Sequence, residues 1–396
     1  VAVTVGATVL TVASLDPVLP DVAVGALLCD LPGSVGVGYD LGGDGLVHRW
    51  VAGRVGDRTR QEVPVGEGCV SCAVGTDLVR VLTVLATQAR PPVWVVLALP
   101  PAMDPGPRVA GPAPAWTRFG PVLAVLDGDR LEDDVLGGDL LVERGLAVSG
   151  ADRRGVGEAV AHALQVADVL VTPAGLTART RQLVDHLAGP IPDCRLHDLD
   201  PASLHGAATG ERTRRRVLGP ATLRLAAPTG AVDRDGVWTL DLDSRRPLHP
   251  HRLQEGMEAL AQGRVYGRGR LWLATRPDQV IGWEGAGGQL GIGVIGRWGA
   301  EPARTRLVIT GTDGDPDLHR LAFQRALLSD AELSRGLDWW AGRDDGFAPW
   351  LGPVTGRDHP RPHPASSKGA CTGSPYPPSP RLRGIARRPA RGEHLS

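Results

Sequence analysis

Lysine is almost missing from this chain. Of 396 residues only Lys368 is a lysine, and the other fixed positive charges are arginines. Any mechanism that needs a lysine ammonium is therefore excluded from residues 1–367. A global charge of one sign is missing too. The formal net charge is −1, so no overall field draws the chain to DNA or to an acidic membrane. A disulfide framework is excluded by cysteine arithmetic. There are five cysteines at uneven spacing: Cys29, Cys69, Cys72, Cys194 and Cys371; a reducing, cytoplasmic setting fits such a set. No apolar run is long enough to span a bilayer. Val1–Val12 is apolar, but it has no basic flank and meets Asp16 and Pro17 soon after, so it reads as a first buried strand. There is no internal repeat.

Hydrophobic residues make up 42% of the chain, enough for a sizeable core. Residues 1–200 alternate two patterns. Short β-branched runs at Val1–Ala13, Ser34–Tyr39, Val47–Val55, Val93–Leu99, Val122–Leu126 and Asp168–Thr172 predict strands. Helical spacing predicts helices at Val22–Leu28, after a cap at Thr76, at Gly157–Ala167 and at Thr177–Leu187. Buried strands separated by helices predict an α/β unit, a mostly parallel sheet flanked by helices. Residues 201–234 lose this rhythm, carry Arg212, Arg214, Arg215 and Arg216, and read as a linker. Residues 235–351 predict a smaller α+β unit. Its strands are Val237–Leu242, Arg270–Thr275, Val280–Glu284, Leu290–Ile295 and Arg306–Thr310; its helices are His251–Gln262 and Asp317–Leu328. Residues 352–396 turn to Pro, Arg, Ser and Gly without periodicity and predict a disordered tail.

The sharpest chemical signal is Gly68-Cys69-Val70-Ser71-Cys72. Two thiolates at this spacing can share a soft metal such as zinc, which asks for four ligands; no second such pair is present. The same pair at a helix start can be redox-active. Two small buried residues at a turn are the plain alternative. His249 and His251 flank a proline at a helix start, which fits a cap or surface role better than a metal site. The arginines at 212–216 fit a solvated linker better than an RNA contact. Trp339 and Trp340 fit packing at the end of the second unit. Gly285–Gly291 is expected to be a hairpin turn. The connection after the first strand, Ala13-Ser14-Leu15-Asp16-Pro17-Val18-Leu19-Pro20, has no glycine and no lysine to hold phosphate.

Several of these stretches resemble the CobW family of metal-linked GTPases. Gly68–Cys72 with Asp77-Leu78 is similar to that family's cysteine signature. Arg246-Pro247-Leu248-His249-Pro250 with Arg252-Leu253, and Arg268 through Asp278, resemble the opening and the most recognisable strand of its C-terminal domain. The Cys-Val-Ser-Cys form, Pro277-Asp278-Gln279-Val280, Ala326–Asp330 and Asp345–Trp350 resemble the subgroup that recruits a ribosome hibernation factor under zinc limitation. The resemblance implies a P-loop-GTPase-like domain over 1–200 and a CobW C-terminal domain over 235–351. It implies zinc at Cys69 and Cys72, and a ribosome or hibernation factor, or a zinc client protein, as partner. Three departures imply impaired or lost binding and hydrolysis of GTP and its magnesium. The family's Gly-Lys-Thr is missing from 13–20, Ala98-Leu99-Pro100-Pro101 replaces the Walker-B-like acid, and Thr172-Pro173-Ala174-Gly175 replaces the guanine-reading motif. A recruiting protein without GTPase activity is the leading expectation, and a GTP-dependent zinc metallochaperone the alternative.

Overall fold

The structure is a computed structural model, and it describes residues 6–42, 46–53, 58–65, 70–88, 90–105, 116–147, 152–199, 204, 235–300 and 302–354. Cys69, the arginines at 212–216, Lys368 and, of the tail expected over 352–396, everything after residue 354 lie outside the described residues.

The first unit is built on an eight-stranded sheet with the order β4-β3-β2-β5-β1-β6-β7-β8. Its strands are β1 (Ala7–Ala13), β2 (Ser34–Leu41), β3 (Val47–Ala52), β4 (Arg58–Val63), β5 (Trp94–Ala98), β6 (Thr117–Val125), β7 (Val169–Thr172) and β8 (Asp193–Arg195). β2, β5, β1, β6, β7 and β8 run parallel, and β3 and β4 add an antiparallel edge. The helices are α1 (Leu19–Asp30), α2 (Val70–Ala86), α3 (Leu131–Leu136), α4 (Val156–Val166) and α5 (Ala178–Ala188).

Strand side chains alternate between faces, so each central strand feeds two cores. Leu10, Val96, Leu123 and Val171 pack under α1. Val9, Val95 and Leu97 pack under α2, while Ala124 and Leu170 meet α3, α4 and α5. Burial on both faces explains why these strands read as unbroken apolar runs.

The second unit is a five-stranded antiparallel sheet with the order β12-β11-β10-β13-β9. Its strands are β9 (Val237–Ser244), β10 (Val265–Leu271), β11 (Gln279–Ala286), β12 (Gln289–Arg297) and β13 (Thr305–Thr312). One face carries Leu240, Leu242, Ile281, Trp283 and Ile309 against α6 (Pro250–Ala261) and α7 (Pro316–Ala326). Val237, Tyr266 and Ala286 of the other face enter the same cluster as Leu131, Val156 and Leu183. The two units thus share a core.

Four sequence expectations shift. The helix carrying Leu78 and Leu82 begins at Val70, so Thr76 is an exposed mid-helix residue and not a cap; the buried stripe Val70, Val74, Leu78 extends it backward. The strand expected at Arg270–Thr275 lies at Val265–Leu271, with Arg268 buried within it. β4 was invisible to apolar patterning, since only Val63 of its six residues is buried. α3 and β8 were not expected. The hairpin turn within Gly285–Gly291 is present, with Gly287 and Gly288 at φ 54° and 85°.

Three short helices end the described part of the second unit: α8 (Asp330–Leu333), α9 (Leu337–Trp340) and α10 (Ala348–Leu351). Trp340 is buried and donates to the Glu332 carbonyl, whereas Trp339 remains partly exposed beneath Arg343. Beneath them lies an ion pair sealed from water. Asp345 accepts from Arg276 Nε at 2.7 Å and Nη2 at 3.2 Å, from Thr275 Oγ1 at 2.9 Å and from the Phe347 amide at 3.0 Å. Arg276 also donates to the carbonyls of Leu351 and Gly352.

Candidate functional sites at the cysteine helix and between the units

Cys72 lies in the first turn of α2, half-buried, and is disulfide-bonded. Cys194, half-buried beside β7, is a free thiol. Further along α2, Asp77 fixes the helix to the sheet. Its carboxylate accepts from Tyr39 Oη at 3.0 Å and from Arg49 Nη1 at 2.8 and 2.9 Å. Burial, with the Asp77 charge and hydrogen bond adding to it, pushes the Tyr39 phenol far above its ordinary range. Asp77, of the Asp77-Leu78 pair singled out in the sequence, thus positions the cysteine helix.

The connection from β1 to α1 is held by its own side chains. Asp16 Oδ1 accepts from the amides of Val18 at 2.7 Å and Leu19 at 2.9 Å, and Ser14 Oγ accepts from the Asp16 amide. These amides are where an anion binds a helix start; here an internal carboxylate takes that role. Across from it the Ala102 amide donates to the Ser14 carbonyl, with Ala102 at φ 58°. Thr172 Oγ1 accepts from the Gly175 amide after β7.

Sequence reasoning missed a buried polar cluster between the units. Glu158 and His162 stand one turn apart on α4, and so on one face of it. Opposite them, β10 and β11 pair Arg268 with Glu284 in register, and Tyr266 projects from the same face as Arg268. His162 Nε2 lies 2.8 Å from Glu284 Oε1. Tyr266 Oη donates to the same oxygen at 2.5 Å, and Arg268 Nη2 donates to the Leu187 carbonyl at 2.9 Å. Ligand-capable atoms of Glu158, His162 and Glu284 lie within 4.8 Å of one another.

The electrostatics of this cluster are strongly coupled. Burial pulls His162 down, but the Glu284 charge and hydrogen bond, with Asp104 and Glu158, outweigh it and lift His162 to about 9. Burial would raise Glu284, yet His162 and Tyr266 hold it below the usual carboxylate value. Burial lowers Arg268 and raises Tyr266. The i, i+4 spacing of Glu158 and His162 was visible in the sequence; their pairing with Glu284 needed the tertiary structure.

The glycines of the hairpin let this interface close. A Cβ on Gly287 would stand 2.3 Å from the Gly137 carbonyl carbon, and one on Gly157 would meet the Val135 oxygen at 2.2 Å and Ala286 Cβ at 2.6 Å. Around the rim, Arg179 bridges Glu132 and Asp313. His249 is the N-cap of α6, its Nδ1 accepting from the Arg252 amide, while His251 is exposed. The capping reading of that pair holds.

Residues 237–327 match the cobalamin synthesis protein cobW C-terminal domain. The chain is 30% identical to the protein named zinc chaperone Rv0106 of Mycobacterium tuberculosis (strain ATCC 25618 / H37Rv) over 337 residues, covering 74% of this chain and 80% of the relative. An uncharacterized protein of Mycobacterium bovis, Mb0109, matches to the same extent. Among solved structures, the zinc-bound YjiA GTPase of E. coli is 12% identical, with 82% of this chain and 99% of that one covered and a TM-score of 0.35, too low a superposition to argue from. The aligned relatives and the matched C-terminal unit together make this chain a member of the CobW family.

Proposed function

We propose that this chain is a zinc carrier of its family, with Cys69 and Cys72 as thiolate ligands in their reduced form, serving a client protein in the cytoplasm. The observation that supports it most is Cys72 in the first turn of α2, at the end of a helix anchored by Asp77. The long alignment with a relative named zinc chaperone agrees with this reading. Lysine-dependent nucleotide hydrolysis has no residue to perform it before position 368. Asp16 occupies the amides that would meet a phosphate, and its charge would repel one. The frame of the domain is thus used without the chemistry.

The test is zinc stoichiometry of the reduced chain beside Cys69→Ser/Cys72→Ser. Thiolate-bound zinc should be lost in the double variant; unchanged thiolate coordination would refute the proposal. Magnesium and GTP should leave the thermal midpoint unmoved. A shift growing as RT ln(1 + [L]/Kd) would restore the GTP-dependent metallochaperone reading.

The finer reading, delivery of a hibernation factor to ribosomes, rests on the likeness at Cys69–Cys72, Pro277–Val280, Ala326–Asp330 and Asp345–Trp350. Within the last of these, Asp345 is buried and engaged with Arg276, so that residue has a folding role. Ribosome co-sedimentation confined to zinc-starved cells would support recruitment, and a soluble protein in both conditions would remove it.

A further inference from the structure

We infer that Glu158, His162 and Glu284 form a second metal site, distinct from the cysteine pair, that takes a divalent ion of the zinc class between the two units. The inference deepens the zinc-carrier reading but stands on different residues.

Three observations lead to it. The first is donor chemistry and spacing. One imidazole and two carboxylates, their donor atoms within 4.8 Å, approach what zinc needs. Bonds of about 2.1 Å in a tetrahedron set ligand atoms about 3.4 Å apart. His162 Nε2 and Glu284 Oε1, now at 2.8 Å, would open slightly around the ion, and the wider separations would close. Three protein ligands leave a fourth position for water or a transferring ligand.

The second is charge. Two carboxylates, Glu158 and Glu284, stand with one imidazole, His162, in this cluster. Glu158 and Glu284 are 8% and 5% exposed. Buried carboxylates are tolerated when they are paired or ligate a cation, and a divalent ion would serve both.

The third is an unsatisfied atom. His162 Nδ1 is buried with no hydrogen-bond partner among the described residues. The His162 ring is thus held through its Nε2 contact with Glu284 alone and can turn toward an ion. Around the ligands the supporting shell is present: Tyr266 Oη holds Glu284 Oε1, the kind of hydrogen bond that orients a metal-binding carboxylate. The His162 side chain is 12% exposed, which gives an ion a route in.

Since Glu158 and His162 belong to the first unit and Glu284 to the second, an ion here would clasp the two. The test uses the full-length reduced chain carrying Cys69→Ser/Cys72→Ser, titrated with zinc against a chromophoric chelator. One zinc per chain should remain. Adding His162→Gln should weaken it by about a hundredfold or more, beyond the 10–100-fold cost of a supporting residue, and Tyr266→Phe by about tenfold. Cobalt in the Cys69→Ser/Cys72→Ser chain should give a spectrum without thiolate charge transfer and with histidine-nitrogen hyperfine coupling. That measurement decides the matter if His162→Gln fails to fold. No zinc in the double variant, zinc indifferent to His162→Gln, or cobalt without histidine nitrogen would each overturn the inference while leaving the cysteine proposal standing. Zinc retained by the double variant with no change in thiolate signal relative to the parent would overturn the cysteine proposal instead.

Discussion

Asp345→Asn offers the clearest test of how the second unit is held together. Arg276 and Asp345 are 1% and 0% exposed in their side chains, so neither charge has water to fall back on. The substitution is nearly isosteric. It removes the charge that two guanidinium donors, a threonine hydroxyl and the Phe347 amide all address. It also turns an NH2 group toward at least one of those donors. Breaking one side of a buried pair costs about 3–5 kcal/mol, because the remaining charge is left uncompensated. That is a large part of the 5–15 kcal/mol that typically separates folded from unfolded chains. In urea, with a slope of about 2 kcal/mol/M, the midpoint should fall by about 2 M at pH 7 with the slope unchanged. Arg276→Met with Asp345→Leu should recover most of the loss, since replacing both partners avoids the orphaned charge. A midpoint shift under about 0.5 M for Asp345→Asn would refute the reasoning. The pH dependence has a definite sign. Burial raises the Asp345 carboxyl, but Arg276, the Phe347 amide and Thr275 outweigh it and hold the group below its ordinary value. Its stabilisation is therefore complete above the unfolded carboxylate pKa of about 3.9 and is lost as pH falls through the lower folded value. Asp345→Asn should flatten the acid limb of the stability profile.

Three further outcomes are expected. Gly157→Ala should loosen the two units, because the new Cβ meets a backbone oxygen that cannot yield; overpacking costs about 1–3 kcal/mol, and faster hydrogen exchange across Gly285–Gly288 would report it. Unchanged protection there would mean that the hairpin docks by other contacts. Asp16→Ala removes the acceptor for two amides at the start of α1 and should cost about 1 kcal/mol in thermal unfolding, the usual worth of such a cap; no measurable loss would show that water replaces it. Asp77→Ala strands Tyr39 and Arg49 and should cost about 2 kcal/mol, while lowering zinc affinity at the cysteines without removing a ligand. Stability lost with affinity intact would separate the anchor from the metal.

Much of the first unit was legible because its strands are buried on both faces, so Val93–Leu99 and Val122–Leu126 stand out as apolar blocks. The edge strand Arg58–Val63 was not, since it is recruited by hydrogen bonding to β3 and exposes five of its six side chains. The β10 boundary was misjudged for a related reason. Arg268 reads as a surface residue until the facing helix is known, and its burial depends on Glu284 and on the Leu187 carbonyl. Cys72 was found by spacing, which is local. The cluster of Glu158, His162 and Glu284 joins residues more than a hundred positions apart, and only the docking of one sheet on the helices of the other brings them within reach.

The carboxylate of Asp16 at the start of α1 has a consequence for information flow. A diffusible anion at such a place is present or absent according to its concentration, and a protein that depends on it reports the energy state of the cell. An anion attached to the backbone three residues from its donor has no dissociation equilibrium of that kind. Its occupancy does not follow the ratio of nucleotide triphosphate to diphosphate. Under the zinc-carrier proposal, timing would then enter by another channel: how much protein is synthesised, whether its sulfurs are reduced, and how much metal the surroundings supply.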